Sequence, residues 1–159
     1  MKKSIKILLT VTLAIGMLAG CTPQQAGEET ASPSMSAAPA EETRTVTDSI
    51  GREVELPAGE ELTAVVSNAY NMELVNAIGA MDQVVGVDWY IWQDEQSWQG
   101  RFTEEMQVGK DPELDYEKII ALAPDVLILA ENGGWEEAQR ALEPFGIAVF
   151  VSNAYYTDE

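Results

Sequence analysis

Four short clusters of aromatic and side-chain amide residues stand out in this chain, each directly after an apolar run. They are Ser67-Asn68-Ala69-Tyr70-Asn71, Asp88-Trp89-Tyr90-Ile91-Trp92, Glu131-Asn132-Gly133-Gly134-Trp135 and Ser152-Asn153-Ala154-Tyr155-Tyr156. The string Val-Ser-Asn-Ala-Tyr occurs twice, ending at Tyr70 and at Tyr155. Rings supply broad, low-entropy contact area and a few amides fix orientation, so the pattern suits holding an organic ligand. The candidate binding residues are Asn68, Tyr70, Asn71, Trp89, Tyr90, Trp92, Asn132, Gly133, Trp135, Asn153 and Tyr155. Local roles compete for some of them. Asn68 and Asn132 suit helix caps, Gly133-Gly134 suits a turn, and Trp135 falls on a helix face that has to be buried. Tyr70, Trp89, Tyr90 and Tyr155 lack such an explanation, because exposed rings in several loops at one edge are unfavourable unless something covers them.

Signatures of catalysis are missing. The chain has no histidine and one cysteine, Cys21, which removes Ser-His-Asp and Cys-His arrangements. A bare transition-metal site would have to be built from carboxylates, which favour harder ions. No glycine-rich phosphate cradle follows the first apolar run of the α/β part. The expectation is a binding protein with no enzymatic activity, no cofactor and no resident metal. An enzyme reading would need turnover that depends on a carboxylate such as Asp88 or Glu131.

These clusters need elements to position them. Thr63–Val66, Val84–Val87, Val126–Leu129 and Ile147–Val151 are near-continuous apolar runs, as expected of strands covered on both faces. Helical spacing falls between them: Leu74, Val75 and Ile78; Tyr116, Ile119, Ile120 and Ala123; Trp135, Ala138, Leu142 and Phe145. Asp115 and Asn132 are placed to cap helix N-termini, Gly79 and Gly146 to stop helices, and Pro124 to close the one before the third run. Ahead of these, Thr45–Asp48 and Glu53–Leu56 alternate around Ser49-Ile50-Gly51-Arg52, the pattern of a hairpin ended by Pro57. The predicted fold is α/β: a three-layer Rossmann-like lobe with a mostly parallel sheet, preceded by a β-hairpin. In such sheets ligands gather beyond the carboxyl ends of the strands, where the four clusters fall.

The N-terminus bears on compartment. Lys2, Lys3 and Lys6 precede an apolar run from Ile7 to Leu18, about a dozen residues and too short to span a bilayer. Leu18-Ala19-Gly20-Cys21 then matches the bacterial lipobox, so residues 1–20 read as a lipoprotein signal peptide and Cys21 as the lipidation site, tethering the chain to the extracytoplasmic face of the cell membrane. Residues 21–42 are poor in apolar residues and read as a flexible linker. Residues 43–159 remain for one domain. Loss of the three leader lysines would take the net charge from −18 to −21, and the few remaining cations are scattered, which argues against nucleic acid as a partner.

Three segments carry a resemblance to a known family. Arg44 through Pro57 looks like its opening hairpin. Val65 through Val87, with Met72-Glu73-Leu74 and Ala77-Ile78-Gly79-Ala80, looks like its first βαβ unit. Val108-Gly109 followed by Asp115 through Val126 looks like its next. Together they resemble the substrate-binding lipoproteins of iron-siderophore, haem and cobalamin ABC importers, over residues 43 to 152. The resemblance implies a monomeric solute-binding component that captures a metal chelate in a cleft at the strand ends and delivers it to an ABC permease. Glu73 falls where the family carries a glutamate that docks onto the permease. The segment from Trp89 to Trp98 departs most from the family's usual run. The family also continues into a connecting helix and a second lobe, whereas this chain ends at Glu159, so the expectation is the N-terminal lobe of a truncated or split protein with one wall of the cleft absent. Haem is slightly disfavoured among the chelates because no histidine is present to ligate its iron, although Tyr70, Tyr155 or Tyr156 could ligate it instead. The alternative is a stand-alone lipid-anchored interaction module without a transport ligand.

Overall fold

The structure is a computed structural model that describes residues 42–59 and 61–154. The leader, Cys21 and Tyr155 lie outside the described residues. Strands β1 (Thr43–Thr47) and β2 (Glu53–Pro57) pair antiparallel, with Thr43 opposite Pro57 and Thr47 opposite Glu53. Asp48 makes their turn: its Oδ1 accepts from the backbone N–H of Ile50 at 3.1 Å and of Arg52 at 2.8 Å. Gly51 takes φ +83°, a conformation glycine adopts without steric penalty.

Four parallel strands follow: β3 (Ala64–Val66), β4 (Val84–Val87), β7 (Val126–Leu129) and β8 (Ala148–Val151), in spatial order β4-β3-β7-β8. Between β4 and β7 lie two short antiparallel strands, β5 (Gly109–Lys110) and β6 (Glu113–Leu114). Helix α1 (Ala69–Ala77) buries Met72 and Val75 on one side of the sheet, in one core with Ala64, Val66 and Val126. Helices α4 (Tyr116–Leu122) and α5 (Trp135–Leu142) bury Ile119, Ala138 and Leu142 on the other, with Val65, Leu127, Leu129 and Val149. This division follows from chirality: the step from β3 to β4 runs in one direction across the sheet and the later steps in the other, so right-handed crossovers place their helices on opposite faces. Asp115 caps α4, its carboxylate accepting the N–H of Lys118 at 3.0 Å, and Ala123 and Pro124 end that helix.

Several expectations need correction. Asn132 caps no helix: it lies in the 3-10 turn Glu131–Gly133, and Gly134, in the left-handed conformation, precedes α5 without a side-chain cap. Leu74, Ile78 and Phe145, apolar positions at helical spacing, are 47%, 71% and 60% exposed. The 3.6 spacing locates an apolar stripe, but the width actually covered depends on the neighbour, and α1 reaches the sheet through Met72 and Val75 alone. The expectation of strands covered on both faces holds for β3 and fails for β8, where Ala148 and Phe150 are only half-buried. On that side α1, the longest of the helices, does not reach across four strands. The segment after β4 forms two short helices, α2 (Trp89–Gln93) and α3 (Glu95–Trp98). Among the described residues no helix is long and apolar enough to cross a membrane.

The hairpin closes the outer edge of β8. Ser49 N–H donates to the Val151 carbonyl at 3.0 Å, and Arg52 Nη2 to the Val149 carbonyl at 3.0 Å. An edge strand left open is a template for pairing with other chains, and these two donors occupy it. Arg52 also donates through Nε to Asp48 at 2.8 Å and through Nη1 to Gln139 Oε1 at 2.8 Å, and its guanidinium lies 4.1 Å over the Trp135 ring. Burial would push the Asp48 carboxyl up, but the Arg52 backbone N–H and guanidinium outweigh it and hold the group below its ordinary value of 3.8.

Arg52→Ala is expected to destabilise the fold by about 3 kcal/mol, because it leaves the buried Asp48 carboxylate unpaired. Arg52→Lys recovers little of that loss, since an ammonium cannot reproduce the planar fork. A folded-state pKa below the unfolded one stabilises above the ordinary carboxylate value and loses that contribution as pH falls. The gap between wild type and Arg52→Ala in urea unfolding is therefore expected to narrow below pH 3.8. A lysine variant as stable as wild type would count against this account.

Candidate functional site

The carboxyl ends of the four strands share one edge, and the strand order reverses direction between β3 and β7, the place where open α/β sheets form a crevice. At this edge Asp88, fully buried, joins the first two tips. Its Oδ2 accepts from Ser67 Oγ at 3.1 Å and from the Asn68 backbone N–H at 2.8 Å, and its Oδ1 caps α2 by accepting the Ile91 N–H at 2.9 Å. Asn68 is thereby held at φ 80°, ψ 128°, a conformation rarely adopted by non-glycine residues, and its own Oδ1 caps α1 by accepting the Tyr70 N–H at 3.0 Å.

The other two tips are joined by Asn153. Its Oδ1 accepts the Glu131 backbone N–H and its Nδ2 donates to Glu131 Oε2, each at 3.1 Å, while its own N–H donates to Ser49 Oγ at 3.1 Å. The repeated Val-Ser-Asn-Ala-Tyr string thus does different work at its two sites: the first asparagine starts a helix and the second clamps a neighbouring loop.

Asp111 lies between these halves. A Cβ added to Gly133 would stand 3.1 Å from Asp111 Oδ1, so glycine there permits the carboxyl to approach the third tip. Burial raises the Asp111 pKa above its ordinary value of 3.8, and the charge of Asp88 raises it further. Its Oδ1 and that of Asn71 are buried acceptors with no hydrogen-bond partner.

The aromatic candidates divide. Trp89 and Tyr90 meet edge to face, centroids 5.3 Å apart at 75°, and Lys110 Nζ lies 4.9 Å and 5.1 Å from the two ring centroids. Tyr70 is exposed at the start of α1. Trp92 turns inward against the core on the α1 side, and Trp135 packs with the α4–α5 core beneath Arg52. Asn71 is buried, its Nδ2 donating to the Ser67 carbonyl at 3.1 Å, and Gly133 is buried under the third tip. Asn132 is exposed beside it. The edge therefore brings Asn68, Trp89, Tyr90 and Asn153 onto two linked pairs of tips. It leaves Asn71, Trp92, Gly133 and Trp135 engaged with the protein itself.

Two cavities lie elsewhere. One of about 560 Å³ is lined by Arg52, Glu53, Gln139, Glu143 and Val149 beside the hairpin. The other, about 280 Å³ and apolar, lies between α1 and the hairpin and is lined by Leu56, Leu62, Ile78, Ile128 and Phe150. None of the described candidate binding residues lines either one. The strand-end edge is an open shelf. Among the described residues no group of three or more His, Cys, Asp or Glu is placed to hold a metal ion.

Sequence reading passed over Lys110 and Asp111, because Lys110-Asp111-Pro112-Glu113 reads as a plain polar turn. Only the docking of β5 beside β4, through the Val108 N–H bond to the Val87 carbonyl at 2.9 Å, carries that turn to the edge.

Asp111→Asn is expected to stabilise the fold by about 1 kcal/mol near neutral pH, the scale of one poorly satisfied buried acceptor. A raised folded-state pKa means that wild-type stability falls as pH rises through it, whereas the asparagine variant shows no such fall. The difference should vanish in acid, and urea unfolding across this range that gives parallel curves for the two proteins would refute the assignment.

Comparison with known proteins gives the same architecture. The profile of a family described as periplasmic binding protein matches residues 64–153, more than half of the chain. No curated protein matches it. Among solved structures, the petrobactin-binding protein YclQ of Bacillus subtilis superposes with a TM-score of 0.54 at 19% identity, over 69% of this chain and 37% of its own. The molybdate periplasmic binding protein MolA of Haemophilus influenzae gives 0.56 at 21% identity, over 68% and 34%. A periplasmic solute binding protein of Veillonella parvula gives 0.58 at 18% identity, over 69% and 35%. The chain thus spans about a third of the length of these structures, and at such identities the likeness speaks for the fold. Together, the profile match and a four-stranded parallel sheet with its loops tied at one edge show that this chain belongs to the periplasmic binding protein family.

Proposed function

We propose that this chain is the N-terminal lobe of the solute-binding component of an ABC importer, held at the extracytoplasmic face of the membrane by lipidated Cys21, and that its strand-end shelf contacts a metal chelate such as a ferric siderophore or cobalamin. One observation carries the reading. Four strand tips emerge at a single edge and are joined in pairs by Asp88 and Asn153, the first two tips carrying Tyr70, Trp89 and Tyr90 and the last two the amides Asn132 and Asn153. Tips tied in this way keep their side chains in fixed relation before a ligand arrives, which lowers the entropic cost of binding. An open shelf buries less of a ligand than a closed cleft, so binding to this chain alone is expected to be weak. Glu73, exposed on α1, is the residue proposed to meet the permease.

The second reading, an interaction module without transport ligand, has the apolar groove beneath the exposed Ile78 in its favour. A panel of ferric siderophores and cobalamin, tested by equilibrium dialysis against the full chain, separates the two. Saturable retention of at least one chelate, reduced about tenfold in Trp89→Ala on the scale of one lost aromatic contact, supports the importer reading. Retention of none overturns it.

Lipidation has its own test. Cells expressing the chain and fed radiolabelled palmitate are expected to label it, and Cys21→Ser to abolish both the label and membrane recovery. Equal labelling of the two proteins would remove the anchor from the proposal.

A further inference from the structure

We infer that Lys110 is a specificity-determining residue of the strand-end shelf and that it selects for chelates carrying anionic oxygen atoms. The inference rests on the importer reading above and deepens it.

Segment 107–110 runs beside the end of β4, bridged in parallel between Val87 and Gln107, and so delivers Lys110 to the same edge as the four tips. There its ammonium lies 4.9 Å from the Trp89 ring centroid and 5.1 Å from that of Tyr90. Two rings meeting at 75° form a corner that holds a cation through their quadrupoles while leaving its outward N–H donors available. The ion pairs among the described residues are Arg52–Asp48 and Arg101–Asp82, so Lys110 has no carboxylate bound to it.

Glu113 stands opposite Lys110 across the β5–β6 pair but forms no ion pair with it, and the other carboxylates near the shelf are engaged elsewhere. Asp88 is buried, its oxygens accepting from Ser67, Asn68 and Ile91 below the surface. Asp111 turns its Oδ1 inward, next to the Gly133 backbone. Glu131 is bound by Asn153. The cation presented at the rings is therefore Lys110, in a chain of net charge −18 whose general field would otherwise repel an anionic ligand. A lysine serving only to prop α2 against β5 would stabilise the corner without regard to ligand charge, and this difference makes the inference testable.

The test is equilibrium dialysis of the full chain against two radiolabelled iron complexes, an anionic ferric tris-catecholate and a neutral ferric tris-hydroxamate. Wild type, Lys110→Gln and Lys110→Arg are compared, each first shown to have the same thermal midpoint. Lys110→Gln is expected to weaken retention of the catecholate by about tenfold, the scale of one charge-assisted contact, and to leave the hydroxamate within about twofold. Lys110→Arg keeps the catecholate within about threefold, and added salt lowers wild-type catecholate retention more than that of the glutamine variant. Equal weakening of both complexes in Lys110→Gln, or catecholate retention that Lys110→Gln leaves unchanged, overturns the inference and leaves the importer reading standing. Retention of neither complex by wild type overturns this inference, and the importer reading falls with it if cobalamin and the other siderophores are not retained either.

Discussion

A carboxylate withdrawn from solvent has to be met by donors, and Asp88 is met by three: a hydroxyl, the backbone N–H that enters α1 and the backbone N–H that opens α2. Leaving such a group unmet would be severely unfavourable. That requirement binds the ends of β3 and β4 to each other. It also explains why Asn68 tolerates positive φ, since the strained residue is held from both sides, by its N–H on Asp88 and by its side chain on Tyr70. The shelf inherits its geometry from this one buried group.

The hairpin performs a comparable service at the far edge of the sheet. Asp48 folds the turn, Arg52 and Ser49 fill the outward carbonyls of β8, and Asn153 takes Ser49 as a partner at the fourth tip. The hairpin precedes the stretch matched by the family profile, yet it is tied to the last strand of the sheet by hydrogen bonds spanning about a hundred residues. Arg52, in a sequence that reads as turn chemistry, is a long-range contact. Its stacking on Trp135 also accounts for a ring that would otherwise have remained a candidate for ligand contact.

Coverage of the sheet is uneven, with consequences for how the shelf is read. Two helices cover one face, and α1 with the hairpin and the short α2 and α3 covers the other, so the apolar groove near Ile128 and Phe150 arises from topology. Neither that groove nor the cavity beside Arg52 involves the strand tips. In the solved structures the matched region is about a third of the protein.

Much of this was legible in the sequence. Period-two and continuous apolar runs mark the hairpin and the four sheet strands, because a strand's alternation and a buried strand's lack of it are local properties of side-chain direction. Asp115, Gly79, Gly146 and Pro124 mark helix limits for equally local reasons. Clusters placed after parallel strands had to reach one edge, since parallel strands end together. The tertiary structure alone decided which members of those clusters face outward. Asn71 and Asn68 are three residues apart, yet one is buried and the other caps a helix at the edge, and Trp135 is drawn to Arg52 instead of to the shelf. It alone brought Lys110 and Asp111 into the site, because their position depends on β5 docking beside β4 across some twenty residues of chain. Residue type and spacing encode which face of its own element a side chain occupies, while what covers that face is set by elements distant in sequence.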